Sequence, residues 1–319
     1  MHEEIERLTV QAQEHARRLN AVLDEIKRVI VGQHYVLHKL LMCLIADGHV
    51  LLEGVPGLAK TLMVKTLSSA FSARFHRIQF TPDLLPADIT GTKIYDHRTA
   101  SFSTQKGPIF CNFMLADEIN RAPPKVQSAL LEAMQERQVS IQGETFALDK
   151  PFLVLATQNP IETEGTYKLP EAQVDRFTFK LLIAYPKREE EKTIIARNTQ
   201  GLDITPREVL TAEDVISIQR FNQKIYADEK IADYVTELVD ATRYPEAHAL
   251  NVEGLIEYGA SPRASIWLIL TGKAHALLNG RGYVIPEDIK AVAHDVLRHR
   301  IILSYEAEAE GITSDHIID

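Results

Sequence analysis

Cysteine and long apolar runs are scarce in this chain of 319 residues, and each scarcity excludes a class of protein. Its 2 cysteines, Cys43 and Cys111, each lie among apolar residues and have no CxxC partner. Such thiols are typical of buried side chains in a reducing compartment, so we expect neither a disulfide framework nor a cysteine metal site. The composition is that of an ordinary globular protein and excludes disordered and collagen-like chains.

Membrane and secretion signals are also missing from the pattern of apolar residues. The apolar run at 40–46 is far shorter than the roughly 18 residues that a membrane-spanning helix requires. The first residues contain no basic segment followed by an apolar stretch, so a signal peptide is not indicated. We therefore expect a soluble, cytoplasmic protein without a membrane span.

Basic residues are fewer than acidic ones, 35 against 44, which gives a formal net charge of −9. A protein that coats a nucleic-acid backbone needs clusters of lysine and arginine, so a nucleic-acid partner is not expected. The excess of acid lies mainly in residues 187–319, which carry 15 basic and 23 acidic side chains. The nearly neutral first part of the chain leaves room for a local basic patch, and the acidic second part predicts a solvated or partner-facing surface.

Short apolar runs alternate with helical patterns in the first part of the chain. The predicted strands lie at 49–53, 75–80, 112–116, 152–157 and 177–183. The predicted helices lie at 3–30, 34–47, 60–71 and 123–136. This alternation predicts an α/β domain with a mostly parallel sheet between helices.

Only helical patterns follow residue 186, which indicates a second, smaller and all-helical domain. These helices are predicted at 187–199, 211–225, 229–243, 262–280 and 286–299. We therefore divide the chain into an N-terminal helix at 1–30, an α/β core at 31–186 and a helical domain at 187–319. Within the core, the segment 81–110 is too long for a plain connection and predicts a functional insertion, with residues 96–102 at the tip of a hairpin.

The segment that follows the first predicted strand matches a phosphate-binding loop. Its residues are Gly54, Val55, Pro56, Gly57, Leu58, Ala59, Lys60 and Thr61. They fit the pattern G-x-x-x-x-G-K-[ST], except that Ala59 replaces the second glycine; alanine is tolerated if this position does not need a positive φ. Backbone amides and the following helix N-terminus would bind phosphate, Lys60 would contact the β- and γ-phosphates, and the Thr61 hydroxyl would ligate Mg²⁺. The alternative is an ordinary turn between a strand and a helix.

Two adjacent carboxylates, Asp117 and Glu118, end a later apolar strand. A phosphate-binding loop needs an acidic group near Mg²⁺ and a base or water-orienting group near the γ-phosphate. Ligands of open α/β sheets bind at the carboxyl ends of the strands, where this pair is predicted to lie. We assign Asp117 to the metal and Glu118 to activation of water; a solvated acidic turn is the alternative.

The quoted motifs, taken together, resemble those of the MoxR family of AAA+ ATPases. The matching stretches are GVPGLAKT, LADEINRAPPKVQSALLEAMQE and ATQNPIETEGTYKLPEAQVDRF, and the resemblance runs from about Gly32 to Arg300. It implies a P-loop core with a helical lid, Mg²⁺-dependent ATP hydrolysis, and a ring that is hexameric in the family. It also implies chaperone-like remodelling in maturation or metal-cofactor insertion of a client that the sequence does not identify, often beside partners that carry a von Willebrand factor A-type domain. The alanine at position 59 is usual in this family.

The resemblance also assigns roles to single residues outside the two acidic and glycine-rich motifs. Asn159 matches the sensor-1 asparagine that helps to orient the attacking water, and a turn-forming asparagine is the alternative. Arg176 matches the arginine finger that is offered to ATP in the neighbouring subunit, and a local ion pair is the alternative. Arg263 matches the sensor-2 arginine near the start of a lid helix, which would contact the γ-phosphate.

Three further assignments stay open at the level of sequence. Gly32 and Gln33 resemble the segment beside the adenine ring in this family. Arg121 is a rival to Arg176 for the contact between subunits. The insertion at 81–110 resembles one that faces the ring pore or a client, and an ordinary surface loop is the alternative. Two other functions remain: a helicase-like nucleic-acid motor, and a nucleotide-gated scaffold with little turnover.

Overall fold

The computed structural model describes residues 2–55, 57–98, 100–159, 165–201, 204–252 and 254–319. The helices are α1 His2–Val29, α2 His34–Ile45, α3 Lys60–Ala70, α4 Pro86–Thr90, α5 Pro124–Glu136, α6 Glu171–Val174, α7 Arg188–Thr199, α8 Ala212–Lys224, α9 Glu229–Arg243, α10 Pro262–Leu278, α11 Pro286–Leu297, α12 Tyr305–Ala309 and α13 Ser314–Ile318, with 3-10 turns at Ile119–Arg121 and Pro245–His248. The strands are β1 Val50–Glu53, β2 Phe75–Gln79, β3 Gly91–Asp96, β4 Ser101–Lys106, β5 Phe113–Asp117, β6 Gln138–Ile141, β7 Glu144–Ala147, β8 Leu153–Gln158, β9 Phe179–Leu182, β10 Ile256–Tyr258 and β11 Ile302–Leu303.

A parallel sheet forms the centre of the first domain, in the order β2-β5-β8-β1-β9. Every neighbouring pair of these strands runs parallel, with Glu53 beside Gln158 and Gln79 beside Asp117. The carboxyl ends of the strands therefore meet at one edge of the sheet. The predicted α/β core with a parallel sheet is confirmed.

The central strands read as continuous apolar runs because both faces of the sheet are covered by helices. On β1, Val50 and Leu52 pack with α1, α2 and α3, whereas Leu51 points to the other face, where α5 packs. All three side chains are at most 1% exposed. Burial on both faces places the strands rigidly and so positions the polar residues that follow them.

Helix α1 packs against both parts of the chain. Its buried face includes Ala12, Leu19 and Ile26, and it contacts α3 of the core and α10 of the helical part. Gly282 allows this contact, since a Cβ at that position would lie 2.5 Å from the backbone nitrogen of Thr9. A single cluster of buried apolar residues includes side chains of α1, of the α/β core and of the helical part. The domain boundaries at residues 30 and 186 remain a prediction.

Two predictions about the second part and the insertion have different outcomes. Strands β3 and β4 form the antiparallel hairpin expected within 81–110, with Asp96 opposite Ser101 at its end. The expectation of a second part without strands is wrong, because β10 and β11 form a short antiparallel pair. The hairpin β6–β7 and the C-terminal helices α12 and α13 were not predicted, since each is too short to show a periodic pattern.

Cys43 and Cys111 are both free and buried, as the sequence predicts. Burial raises the pKa of the Cys43 thiol far above its ordinary value and that of Cys111 to about 12. Both side chains are therefore neutral packing residues. In the described residues, the structure contains no helix that is long and apolar enough to cross a membrane.

Candidate active site

A cleft of about 810 Å³ opens at the edge where the parallel strands end. Its walls come from the loop after β1, the ends of β2, β5 and β8, the connection between α1 and α2, and helix α7. The lining residues predicted from the sequence are Gln33, Gly57, Leu58, Ala59, Lys60, Thr61, Asp117, Glu118 and Asn159. The fold thus brings together residues that lie up to 126 positions apart in the sequence, from Gln33 to Asn159.

The predicted phosphate-binding loop connects β1 to α3. Gly57 has a φ of +86°, and Ala59, which precedes the first residue of α3, has a φ of 54° and a ψ of 25°. The condition set for alanine at position 59 is therefore not met, because this residue adopts the left-handed conformation at a cost of roughly 1–2 kcal/mol. Of the predicted loop residues, Pro56 lies outside the described part of the chain.

Lys60 points back across this loop. Its Nζ donates a hydrogen bond of 2.6 Å to the backbone oxygen of Gly54. Burial lowers the pKa of the Lys60 ammonium, while the nearby carboxylates of Asp117 and Glu118 act in the opposite direction. Gly54 itself packs against Ile183, whose backbone oxygen would lie 3.0 Å from an added Cβ. The lysine thus lies in the cleft, close to both predicted acidic groups.

Asp117 ends β5 with each carboxylate oxygen already hydrogen-bonded. Oδ1 accepts from the Thr157 hydroxyl at 2.7 Å, and Oδ2 accepts from Arg77 Nη2 at 2.7 Å and Nε at 3.2 Å. The same Thr157 oxygen accepts from the backbone nitrogen of Glu118 at 2.8 Å. Sequence reasoning missed both partners; Arg77 lies on a strand that ends beside Asp117, and this pairing could not be deduced without the strand order.

Glu118 is the next residue and turns sharply, with a φ of 56°. Its Oε2 accepts from Gln79 Nε2 at 2.8 Å and lies 3.3 Å from Arg121 Nε. The amide of Gln79 is oriented in turn by Arg77, whose Nη2 donates to Gln79 Oε1 at 2.8 Å. Arg121, the rival candidate for a contact between subunits, is therefore in contact with the carboxylate of its own chain.

Asn159 and Gln33 close two further sides of the cleft. Asn159 follows β8, is 7% exposed and lies in the wall beside the acidic pair. Gln33 has a left-handed backbone at the start of α2 and donates from Nε2 to the backbone oxygen of Ala184 at 2.9 Å. Gly32 is not part of the cleft wall; it packs tightly against the Glu190 carboxylate, 2.8 Å from where a Cβ would lie.

Helix α7 forms a wall that the sequence did not indicate. Ile194, Arg197 and Asn198 line the cleft from this helix. Arg197 is held in place because its Nη1 donates to the backbone oxygens of Arg28 at 3.0 Å and Val29 at 3.2 Å. These hydrogen bonds connect α7 to the end of α1. Val29 of α1 and Ile194 of α7 therefore line the same cleft.

Two predicted arginines do not line the cleft of their own chain. Arg263 donates from Nη1 to Asp175 Oδ2 at 3.2 Å, and the same carboxylate accepts from Ser261 and from Arg300 Nε at 2.8 Å. Arg176 follows Asp175 and has a buried Nε without a hydrogen-bond partner among the described residues. Asp175 thus holds Arg263 away from the wall of the cleft.

Comparison with known proteins identifies this architecture. Residues 49–179 match the model of the ATPase family associated with various cellular activities (AAA), and residues 248–319 match the AAA lid domain. Chaperone MoxR1 of Mycobacterium tuberculosis is 50% identical over 305 residues, which cover 94% of this chain and 80% of that protein. Protein YeaC of Bacillus subtilis is 47% identical over 301 residues, which cover 94% of this chain and 92% of the relative. The chain belongs to the MoxR family of AAA+ ATPases.

A crystal structure of a Cytophaga hutchinsonii protein supports the same assignment for the whole fold. It matches with a TM-score of 0.92 at 51% sequence identity and covers 98% of this chain and 94% of its own. Membership in the MoxR family explains why the parallel sheet is followed by a helical lid. It also confirms the family predicted from the motifs.

Proposed function

We propose that this protein hydrolyses Mg²⁺-bound ATP in the cleft and uses the turnover to remodel partner proteins. The single observation that carries the proposal is the convergence of Lys60, Thr61, Asp117 and Glu118 on one cleft at the carboxyl ends of the strands. A phosphate chain needs backbone amides, a lysine and a helix N-terminus on one side, and acidic residues on the other. This cleft provides both.

Thr61 and Asp117 fit a magnesium ion by the chemistry of their oxygen atoms. Magnesium prefers hard oxygen ligands and is commonly held by one or two carboxylates together with waters and substrate phosphates. Within the described ranges, no group of three or more His, Cys, Asp or Glu side chains could hold a metal by itself. When bound, the ion would neutralise charge on the β- and γ-phosphates.

Glu118 is the proposed general base for the attacking water. Gln79 and Arg121 both contact Oε2 of this carboxylate, so Oε1 is the oxygen that would accept a proton from water. Asn159, buried at the neighbouring strand end, would hydrogen-bond the same water. Lys60 would stabilise negative charge on the transferring phosphoryl group.

We also propose that the site is completed across a subunit boundary in a ring, hexameric as in the family. Arg176 lies outside its own cleft, half-buried and beside Asp175, as expected for a residue that serves a neighbour. An arginine supplied in this way stabilises the charge of the transition state and makes hydrolysis depend on assembly. Arg263 would contact the γ-phosphate only after release from Asp175.

The proposed clients are proteins, acted on in the cytoplasm. A Mycobacterium tuberculosis relative is named a chaperone, which supports remodelling of proteins as the output of turnover. We expect maturation or metal-cofactor insertion as the task, and a client with a von Willebrand factor A-type domain. Stimulation of turnover by single-stranded DNA would favour the helicase-like alternative, and slow turnover unchanged by Glu118→Gln would favour the scaffold.

Nucleotide binding by a Lys60→Ala variant tests the proposed site. Loss of the ammonium group should weaken the affinity for Mg²⁺–ATP about tenfold or more, because a charged hydrogen bond to phosphate is lost. Isothermal titration calorimetry measures the change. Lys65→Ala is the matched control, since Lys65 is exposed on the same helix and outside the cleft. Equal affinities of the two variants and the unmodified protein would contradict the proposal.

A further inference from the structure

Arg77 is the one cleft residue of strand β2 that carries a positive charge, and neither the sequence motifs nor the proposed roles use it. Two guanidinium nitrogens donate to one oxygen of Asp117, the residue assigned to the metal: Nη2 lies 2.7 Å and Nε 3.2 Å from Oδ2. Its side chain is 46% exposed, and it shares the cleft wall with Lys60 and Thr61. A positive group thus lies against the proposed metal ligand.

The donor count of Arg77 shows that this pairing does not use the whole side chain. A guanidinium carries five N–H donors in a fixed fork. Nε and Nη2 donate to Asp117 and Gln79, whereas Nη1 makes no hydrogen bond to any described residue. Two donors therefore remain free on a partly exposed cation in a cleft that is lined by a phosphate-binding loop. Planar guanidinium groups with free donors suit phosphate oxygens.

Asp117 cannot serve Arg77 and a divalent cation equally well. Its Oδ1 accepts one hydrogen bond, from Thr157, and its Oδ2 accepts two, from Arg77, so a cation that binds this carboxylate lies beside the guanidinium. Two positive groups at one carboxylate repel each other, so binding of a divalent cation there weakens the contact of Arg77 with Asp117. A displaced Arg77 remains anchored on β2 in the cleft wall, where a phosphate group of a bound nucleotide would be a new anionic partner.

We propose that Arg77 discriminates ATP from ADP: it pairs with Asp117 when no γ-phosphate is present and donates to the γ-phosphate when ATP and its metal ion are bound. The inference rests on the proposed nucleotide site and adds to it a residue that determines specificity. Asp117 then has two alternative partners: Arg77 when no γ-phosphate is present, and the metal ion when ATP is bound. Movement of Arg77 would also release the amide of Gln79, which it orients towards Glu118.

Equilibrium binding to Arg77→Gln and Arg77→Lys variants tests this assignment without any measurement of turnover. The dissociation constants of ADP and of the non-hydrolysable analogue β,γ-imido-ATP are measured by calorimetry, with Mg²⁺ and with EDTA. In Mg²⁺, Arg77→Gln should reduce the preference for the analogue over ADP by about tenfold, because a charged hydrogen bond to the γ-phosphate is lost. Arg77→Lys keeps a positive charge and should retain part of the preference.

Arg77→Gln should also change the effect of Mg²⁺ on ADP binding. Removal of the guanidinium frees Asp117, so Mg²⁺ should strengthen ADP binding more in Arg77→Gln than in the unmodified protein. Arg74→Gln is the matched control, since Arg74 precedes the same strand and pairs with the exposed Asp149 outside the cleft. An unchanged preference in both Arg77 variants would overturn the assignment. Failure of the unmodified protein to bind either nucleotide would instead overturn the proposed function, and this inference with it.

Discussion

Ala59 and Glu118 both have left-handed backbone conformations at the cleft, with φ values of 54° and 56°. Residues with a Cβ avoid this region, and those that adopt it cluster at functional sites, where the surrounding structure stabilises them. At position 59 the conformation ends the loop so that α3 begins at Lys60, and at position 118 it turns the chain out of β5. The strained backbone at both positions is therefore part of the cleft wall.

His49 should make the stability of the protein depend on pH. It directly precedes β1 and is buried. Its Nδ1 accepts a hydrogen bond from the Val154 backbone nitrogen at 3.0 Å, and its Nε2 lies 3.2 Å from the Met134 backbone oxygen, so the ring is held as one neutral tautomer. Burial lowers the pKa of His49 well below 6.5, and the same cause lowers the pKa of His299. The unfolded chain therefore binds protons below about pH 6.5 that the folded chain does not bind, so acid favours unfolding.

The expected effect is a loss of unfolding free energy of about 1.4 kcal/mol per pH unit for each such histidine below pH 6.5. Urea unfolding measured between pH 7.5 and about pH 5 tests the slope. In a His49→Gln variant, the change of unfolding free energy with pH should be smaller by about 1.4 kcal/mol per pH unit, whatever the stability of the variant at neutral pH. His316→Gln, at an exposed position, should keep the full slope. Parallel curves for the two variants would contradict the account.

The residue patterns predicted the strands and the loop of the cleft better than the short strands outside it. The buried strands could be predicted because burial on both faces restricts their residue types, and the loop from Gly54 to Thr61 could be predicted because its motif has fixed residue types. The hairpin β6–β7 and the pair β10–β11 could not, since strands of two to four residues show no period. The contact of Arg77 with Asp117 was missed because it depends on which strands are neighbours.

Asp175 links three elements of the fold, which the sequence also did not reveal. It receives hydrogen bonds from Ser261 and Arg263 at the start of α10 and from Arg300 after α11. Arg300 is only 4% exposed, and burial lowers the pKa of its guanidinium to about 10 although Asp175 opposes the shift. A charge buried this deeply depends on its partner.

An Asp175→Asn substitution should therefore destabilise the protein by about 3 kcal/mol, because it leaves the Arg300 guanidinium without its counter-charge. The midpoint of urea unfolding measures this effect. Asp149→Asn is the matched control, as Asp149 forms an exposed ion pair with Arg74 and its loss should cost about 1 kcal/mol at most. Equal midpoints for the two variants would show that Asp175 does not anchor the second part of the chain.

At the scale of the whole molecule, the cleft and the proposed arginine finger are separate features of one protomer, because Arg176 does not line the cleft of its own chain. The cleft lies at the strand ends, closed by α7, whereas Arg176 lies beside Asp175 and the start of α10. A ring joins unlike surfaces of successive subunits, so one subunit's Arg176 can meet the next subunit's cleft. The excess of acidic over basic residues lies mainly in the second part of the chain, residues 187–319, and not in the α/β core.

Phosphate release by mixed variants tests whether the proposed ATPase site is composite, with Arg176 supplied by the neighbouring subunit. Glu118→Gln and Arg176→Ala should each lose nearly all turnover of Mg²⁺–ATP while they still bind nucleotide, because one lacks the base and the other the trans charge. In an equal mixture, about one interface in four pairs an intact cleft with an intact arginine, so turnover should return in part. Full activity of either variant alone, or an inactive mixture in assembled rings, would contradict the account.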